Sequence, residues 1–137
     1  LGKVSNMKIL KKEAIKSLFY EMLEEYVLKD LNKFKPEKGY FPIKDKEEYE
    51  VDYLFNSRPK PIYLFGIKGS EKARLVTISC LEFLRNDINY RSVAVHEDFE
   101  SLNKKDRNRI TNVIDKQFTT LDDFKVEAEK YLTRELT

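Results

Sequence analysis

The sequence predicts an α/β fold, an α+β arrangement in which a mixed sheet of about four strands is flanked by helices. Apolar residues recur at three-to-four spacing in four segments, which is the pattern of amphipathic helices, and short alternating or continuously apolar runs between them indicate strands. With 137 residues, 41% of them hydrophobic, the chain can bury one ordinary core. The predicted element order is helix–β–β–β–helix–β–helix–helix.

The first predicted helix carries a long apolar stripe. Asn6 is a candidate N-cap, and the helix should end before Pro36. If this face finds no match inside the domain, we expect it to contact a protein partner or a second copy of the chain as a homodimer. The stripe consists of Ile15, Leu18, Phe19, Met22, Leu23, Tyr26 and Val27.

Three strands are predicted next, at residues 40–43, 49–55 and 61–69. Residues 49–55 alternate, so Tyr49, Val51, Tyr53 and Phe55 should share one face of the sheet. The opposite face would then be acidic. The turn residues at 56–61 predict a hairpin between the second strand and the third. The third strand is nearly continuously apolar and is therefore expected to be more buried.

The second half predicts a helix, a strand and two further helices. Ser70 is a candidate N-cap for the first of these helices, residues 92–96 form a β-branched strand, and Ser101 can cap the next helix. A last helix should begin near Thr120, where a capping box is present with Asp123 in place of Glu. The apolar stripe of the helix after Ser101 is read as Ile110, Val113, Ile114 and Phe118.

Composition limits the classes of function. Lys and Arg total 26 and Asp and Glu 24, so a formal charge of +2 gives no global attraction to nucleic acid or membrane. The lone Cys80 excludes an intramolecular disulfide, and no apolar run reaches about 18 residues. We therefore expect a cytoplasmic protein without a membrane partner. Since Leu1 stands where an initiator Met would, two readings stay open: a native start at Met7, or the C-terminal part of a longer protein.

The order helix–β–β–β–helix–β, over about residues 9–96, resembles the core of the restriction-endonuclease-like PD-(D/E)XK superfamily, with Asp52 and Lys68 at two motif positions. The resemblance implies a single nuclease-like domain over residues 1–137. It also implies Mg²⁺ held by an Asp on the second strand and an acid two residues before the Lys. Carboxylates are hard oxygen ligands for Mg²⁺, which activates water and polarises phosphate.

This sequence departs from the motif at Gly66, which stands where the acid is required. The catalytic candidates are Asp52, Lys68 and Glu71, and the metal-ligand candidates are Asp52 and Glu50. The alternative interpretation makes Asp52 and Lys68 a cross-strand ion pair on a half-exposed face. Other acids that could replace the missing ligand are Glu82 on the helix after the third strand and Glu21, Glu24 and Glu25 on the first helix.

The densest basic stretch is Lys104, Lys105, Arg107 and Arg109, which on a helix suits either phosphate contacts or a solvated face. Cys80 is expected to be a buried small hydrophobe. His96 lies at a strand exit, where it could belong to a site or precede a helix-capping acidic turn.

Three functions follow as hypotheses. The first is a nucleic-acid- or protein-binding module with an incomplete metal site. Residues 49–55, 61–69 and 93–118 loosely resemble C-terminal modules of uncharacterised bacterial and phage proteins, which implies a phage or mobile-element setting. The second is a Mg²⁺-dependent nuclease with a displaced catalytic Glu, and the third is a purely protein-interaction module.

Overall fold

The computed structural model describes residues 18–58 and 60–136. Its centre is a mixed sheet of five strands in the order β1-β2-β3-β4-β5. The first three strands form an antiparallel meander, and β4 and β5 then add in parallel. The predicted α/β class is confirmed. The strands are β1 Glu37–Tyr40, β2 Val51–Phe55, β3 Ile62–Ile67, β4 Arg91–His96 and β5 Lys116–Phe118.

Within the described part of the chain, four α-helices cover both faces of the sheet. One apolar cluster joins the sheet to the first and last helices, and a second cluster joins it to the two helices in between. The molecule therefore has three layers, helix on sheet on helix. Among the described helices, none has the length and apolar character needed to cross a membrane. The helices are α1 Phe19–Glu25, α2 Gly69–Arg85, α3 Lys104–Thr111 and α4 Leu121–Glu135.

The first helical segment buries every fourth residue from Phe19 to Leu31, because its α-helix is followed by a π-helical turn. Phe19, Leu23, Val27 and Leu31 are all at most 2% exposed. Four residues overshoot an α-helical turn by about 40°. A π turn at Tyr26–Asp30 follows α1 and offsets that drift, since a π turn is wider than an α turn. The helix has ended before Pro36, as predicted, whereas the candidate cap Asn6 lies outside the described residues.

The second half differs from expectation in its helix caps and in one element. The N-cap residues of α2 and α3 are Lys68 and Asn103, not the predicted Ser70 and Ser101. The helix capped near Ser101 was expected to continue to Phe118, but α3 ends at Thr111 and Phe118 lies in β5. Its spacing from Ile110 and Ile114 fits a helix, yet β5 pairs with the otherwise open edge of β4 and satisfies its backbone groups. The sheet has five strands because of this short strand.

The alternation predicted for β2 breaks at Asp52. Val51 packs into the cluster on the α2 side, whereas Tyr53 and Phe55 pack into the cluster on the α1 side. Ladder pairing with β3 runs through Tyr53, Leu54 and Phe55. Asp52 therefore stands where β2 separates from β3, and its side chain can reach backbone that the ladder would otherwise occupy.

Candidate functional site

Asp52 is held by two donors. Its Oδ2 accepts the backbone N–H of Gly66 at 2.9 Å, and its Oδ1 accepts the Lys72 ammonium at 3.1 Å. The Asp52 and Lys72 side chains are only 22% and 23% exposed. Lys72 comes from the first turn of α2, so the helix places a cation beside this carboxylate. Both oxygens that would face a metal ion are thus engaged within the chain.

Gly66 is in close contact with α1. A Cβ atom built on Gly66 would lie 2.5 Å from Leu23 Cδ2, and Leu23 is 1% exposed. Leu23 therefore occupies the space into which the motif's acidic side chain would have to extend. The acid is missing from the sequence, and α1 fills the room it would need.

The ion pair of Asp52 is formed with Lys72 and not with Lys68, so the predicted cross-strand pair of Asp52 and Lys68 is wrong, and Glu71 forms no hydrogen bond with this carboxylate among the described residues. Lys68 is the N-cap residue of α2, and its backbone N–H donates to the Tyr20 hydroxyl at 3.2 Å. Burial raises the pKa of Tyr20, so this hydroxyl stays neutral at ordinary pH. Glu71 is exposed on the first turn of α2. Of the three catalytic candidates, only Asp52 lines the neighbouring pocket.

That pocket, of about 310 Å³, lies between α1 and the first two strands. Glu21, Glu24, Glu50 and Asp52 all line it, so the two predicted metal ligands share one pocket. Glu24 forms an ion pair with Lys38 across the pocket. Within residues 18–58 and 60–136, no group of three or more His, Cys, Asp or Glu is arranged to hold a metal ion. With Asp52 already bound at both oxygens, the donor set does not fit Mg²⁺.

A second surface feature is basic. Arg74 of α2 and Lys104, Lys105 and Arg109 of α3 line an open groove of about 460 Å³. The three α3 cations are exposed, and none of them forms an ion pair with another described residue. Arg107 belongs to the same basic stretch but is turned to Glu100, 3.0 Å away. Three of the four predicted nucleic-acid contacts therefore share one groove.

The groove is organised by Asp106. This carboxylate is buried, and its Oδ1 accepts the Nε–H of Arg74 at 3.1 Å. The hydrogen bond from Arg74 lowers the pKa of Asp106, so it stays ionised. Asn103 caps α3 by accepting the Asp106 backbone N–H at 2.9 Å. These contacts fix α3 against α2 and set the direction in which the cations of α3 project.

His96 is 1% exposed, which places it in the core rather than at a surface site. Its Nε2 is 2.8 Å from Gln117 Oε1, and its ring meets Phe99 edge to face. Cys80 is fully buried, as expected, and burial raises the pKa of its thiol to about 12. A Cys–His catalytic pair finds no support in these positions.

Sequence reasoning missed Lys72 and Arg74. Lys72 follows Lys68 by four residues. That spacing was the one signal that could have identified Lys72 as a second cation at the start of α2. Arg74 gave no local signal, because its partner Asp106 lies on another helix, 32 residues further along.

Comparison with known proteins adds no relative: no family model matches the chain, and neither the curated proteins nor the solved structures contain a significant match. The resemblance to the PD-(D/E)XK core is therefore a prediction that rests on element order and on Asp52 and Lys68.

Proposed function

We propose that this domain binds the phosphate backbone of nucleic acid through the groove between α2 and α3, without a metal-dependent cleavage reaction. The observation that carries the proposal is the convergence of Arg74, Lys104, Lys105 and Arg109 on one groove. Cations clustered along a groove displace counterions from phosphates, which favours binding with little dependence on sequence.

The contacts of Asp52 support the part of the proposal that excludes metal-dependent cleavage. A Mg²⁺-dependent nuclease needs carboxylate oxygens free to bind the ion, whereas Asp52 binds the Lys72 ammonium and the Gly66 amide. Lys72 supplies the positive charge that a metal ion would otherwise bring. The pair stabilises the junction between β2, β3 and α2, and no chemical step is needed to account for it.

Binding can be measured by fluorescence anisotropy with labelled single-stranded and duplex oligonucleotides at low salt. We expect Lys105→Glu/Arg109→Glu to weaken binding by roughly tenfold or more, since two phosphate contacts become repulsive. The matched control is Lys125→Glu/Lys130→Glu on α4, which changes the net charge equally at two exposed lysines on the other face of the sheet. An equal loss in both variants would overturn the assignment to the groove. No binding by the wild type would favour the protein-interaction alternative.

A second candidate is the Mg²⁺-dependent nuclease with a displaced Glu. Its support is that Glu21 and Glu50 line the same pocket as Asp52. Plasmid cleavage with Mg²⁺ or Mn²⁺ decides between the two functions. Our proposal predicts no cleavage above that of Asp52→Ala. Cleavage by the wild type that disappears in Asp52→Ala would establish the nuclease instead.

A further inference from the structure

The outer face of α2 exposes large aliphatic side chains along its whole length. Leu75, Ile78, Leu81 and Leu84 are 42%, 53%, 52% and 57% exposed. They follow one another at three-residue spacing, so each is adjacent to the next on the helix surface, and such a grouping of exposed aliphatic residues indicates an interaction surface. The opposite side of the same helix already supplies the core with Ala73, Val76, Cys80 and Phe83.

The sequence of this face is symmetric about Ile78. Leu75 and Leu81 lie three residues before and after it, and charged residues of opposite sign lie four and seven residues before and after it. At 100° per residue, all of these positions fall within about 60° of the direction of Ile78. The matched positions are Leu75 and Leu81, Arg74 and Glu82, and Glu71 and Arg85.

We propose that a second copy of this chain covers the face, with two α2 helices packed antiparallel across a two-fold axis at Ile78. In a two-fold interface residue i meets residue j and j meets i, which is the symmetry this sequence has. Ile78 meets its own copy, and Leu75 meets Leu81 of the other protomer. The contact runs about 21 Å along the helix, from Glu71 to Arg85.

Charge complementarity selects this partner. In the antiparallel register Glu71 of one protomer lies opposite Arg85 of the other, and this pair occurs twice. Glu71 is exposed without an ion pair to another described residue. The Arg85 side chain is 80% exposed, and its one ion pair with another described residue is a long one, to Glu82 at 3.8 Å on its own helix. A parallel arrangement would place Glu71 against Glu71 and Arg85 against Arg85, which repel. The sequence therefore favours the antiparallel dimer over the parallel one.

The inner charge pair, Arg74 and Glu82, is already engaged within each protomer, so the outer pair carries the charge complementarity of the dimer. Arg74 binds Asp106 through Nε but keeps a side chain that is 53% exposed. Glu82 contacts Lys46 at 3.6 Å through Oε1 and Arg85 at 3.8 Å through Oε2, and its side chain is only 15% exposed. The cross-dimer ion pairs are therefore those of Glu71 with Arg85. Arg74 also lines the proposed nucleic-acid groove, whereas Glu71, Ile78 and Arg85 do not, so the dimer and nucleic-acid binding can be tested separately.

Sedimentation velocity over a concentration series tests the dimer. The wild type should dimerise and Ile78→Asp should be monomeric, with circular dichroism confirming that the variant is folded. Val126→Asp is the matched control, because Val126 is 84% exposed on α4, and it should remain dimeric. A wild type that is monomeric at every accessible concentration would overturn the proposal, as would a dimer unaffected by Ile78→Asp.

A charge exchange tests the register. Glu71→Arg should raise the dissociation constant by roughly tenfold, and adding Arg85→Glu should restore it, because the pair is then re-formed with reversed signs. In a Cys80→Ser background, Ile78→Cys should form an interchain disulfide on mild oxidation, whereas Val126→Cys should not. A double variant as weak as the single one, or equal cross-linking at both positions, would contradict the antiparallel two-fold.

Discussion

Gly66 stands where the motif that the chain resembles has an acidic side chain, and helix α1 packs directly against this position. Leu23 of α1 fills the volume beside its Cα, so even one added carbon must displace a buried side chain. The sequence shows only that an acid is absent. The structure supplies a physical reason for a small residue, since α1 could not approach β3 as closely over a larger one.

This close approach predicts the effect of Gly66→Ala. Overpacking a core site of this kind costs about 1–3 kcal/mol in the free energy of unfolding, measured by urea denaturation. Gly66→Ala should cost less when it is made in a Leu23→Ala background, because the methyl group that the new Cβ atom would contact is then absent. A double-mutant cycle measures the difference. Equal costs of Gly66→Ala in both backgrounds would show that Leu23 is not the obstacle.

His96 predicts a pH dependence that can be assigned without ambiguity, because the chain has one His. Burial lowers the pKa of His96 below its ordinary value of 6.5, and the hydrogen bond with Gln117 opposes this only in part. As the pH falls through about 6.5, the unfolded chain therefore binds a proton before the folded one does. The free energy of unfolding should decrease on going from pH 7.5 to about 5.5.

Urea denaturation at a series of pH values measures this effect, and His96→Leu is the control, whose free energy of unfolding should be nearly flat over that window. An equal decrease in His96→Leu would assign the dependence to other groups.

Residue identity alone could identify part of the candidate site. Asp52 stands out on an alternating strand, and Lys104, Lys105 and Arg109 stand out as a dense basic run. Lys72 could not be paired with Asp52 from the sequence, since 20 residues and a hairpin separate them and only the packing of α2 on the sheet brings them together.

At the scale of elements, the strength of local signals decides what could be predicted. The positions of β3 and α2 could be predicted, because a buried strand requires a continuous apolar run and a packed helix requires an apolar stripe, and both patterns are present. The three-residue β5 gave no such signal. Its one buried residue, Phe118, lies at helical spacing from Ile114, and only pairing with β4 makes the segment a strand.

The helix caps predict measurable stabilities. Thr120 caps α4 by accepting the Asp123 backbone N–H at 3.1 Å, and Asn103 caps α3 in the same way. Thr120→Ala and Asn103→Ala should each lower the free energy of unfolding by about 1 kcal/mol, measured by thermal or urea denaturation. Thr120→Ser retains the capping oxygen and should cost much less. If Ser and Ala are equally costly at this position, the cap is not the source of the effect.

At the scale of the whole molecule, the three layers keep the candidate surfaces apart. The acidic pocket around Asp52 lies on the α1 side of the sheet, whereas the basic groove lies between α2 and α3 on the other side. A metal-dependent nuclease brings its metal-binding carboxylates and its phosphate-binding cations to the same cleft. Here Lys104, Lys105 and Arg109 line a different groove from the pocket that holds Asp52, which supports backbone binding without cleavage.

The salt dependence of oligonucleotide binding by the wild-type protein tests this central claim most directly. Three or four phosphate contacts predict that the logarithm of the binding constant falls with the logarithm of salt concentration with a slope of about −2 to −4. The slope should be measured in EDTA, where binding should persist without Mg²⁺, and the oligonucleotide should be recovered intact when Mg²⁺ is added. A slope near zero, or binding that requires Mg²⁺ and ends in a cut strand, would contradict the account.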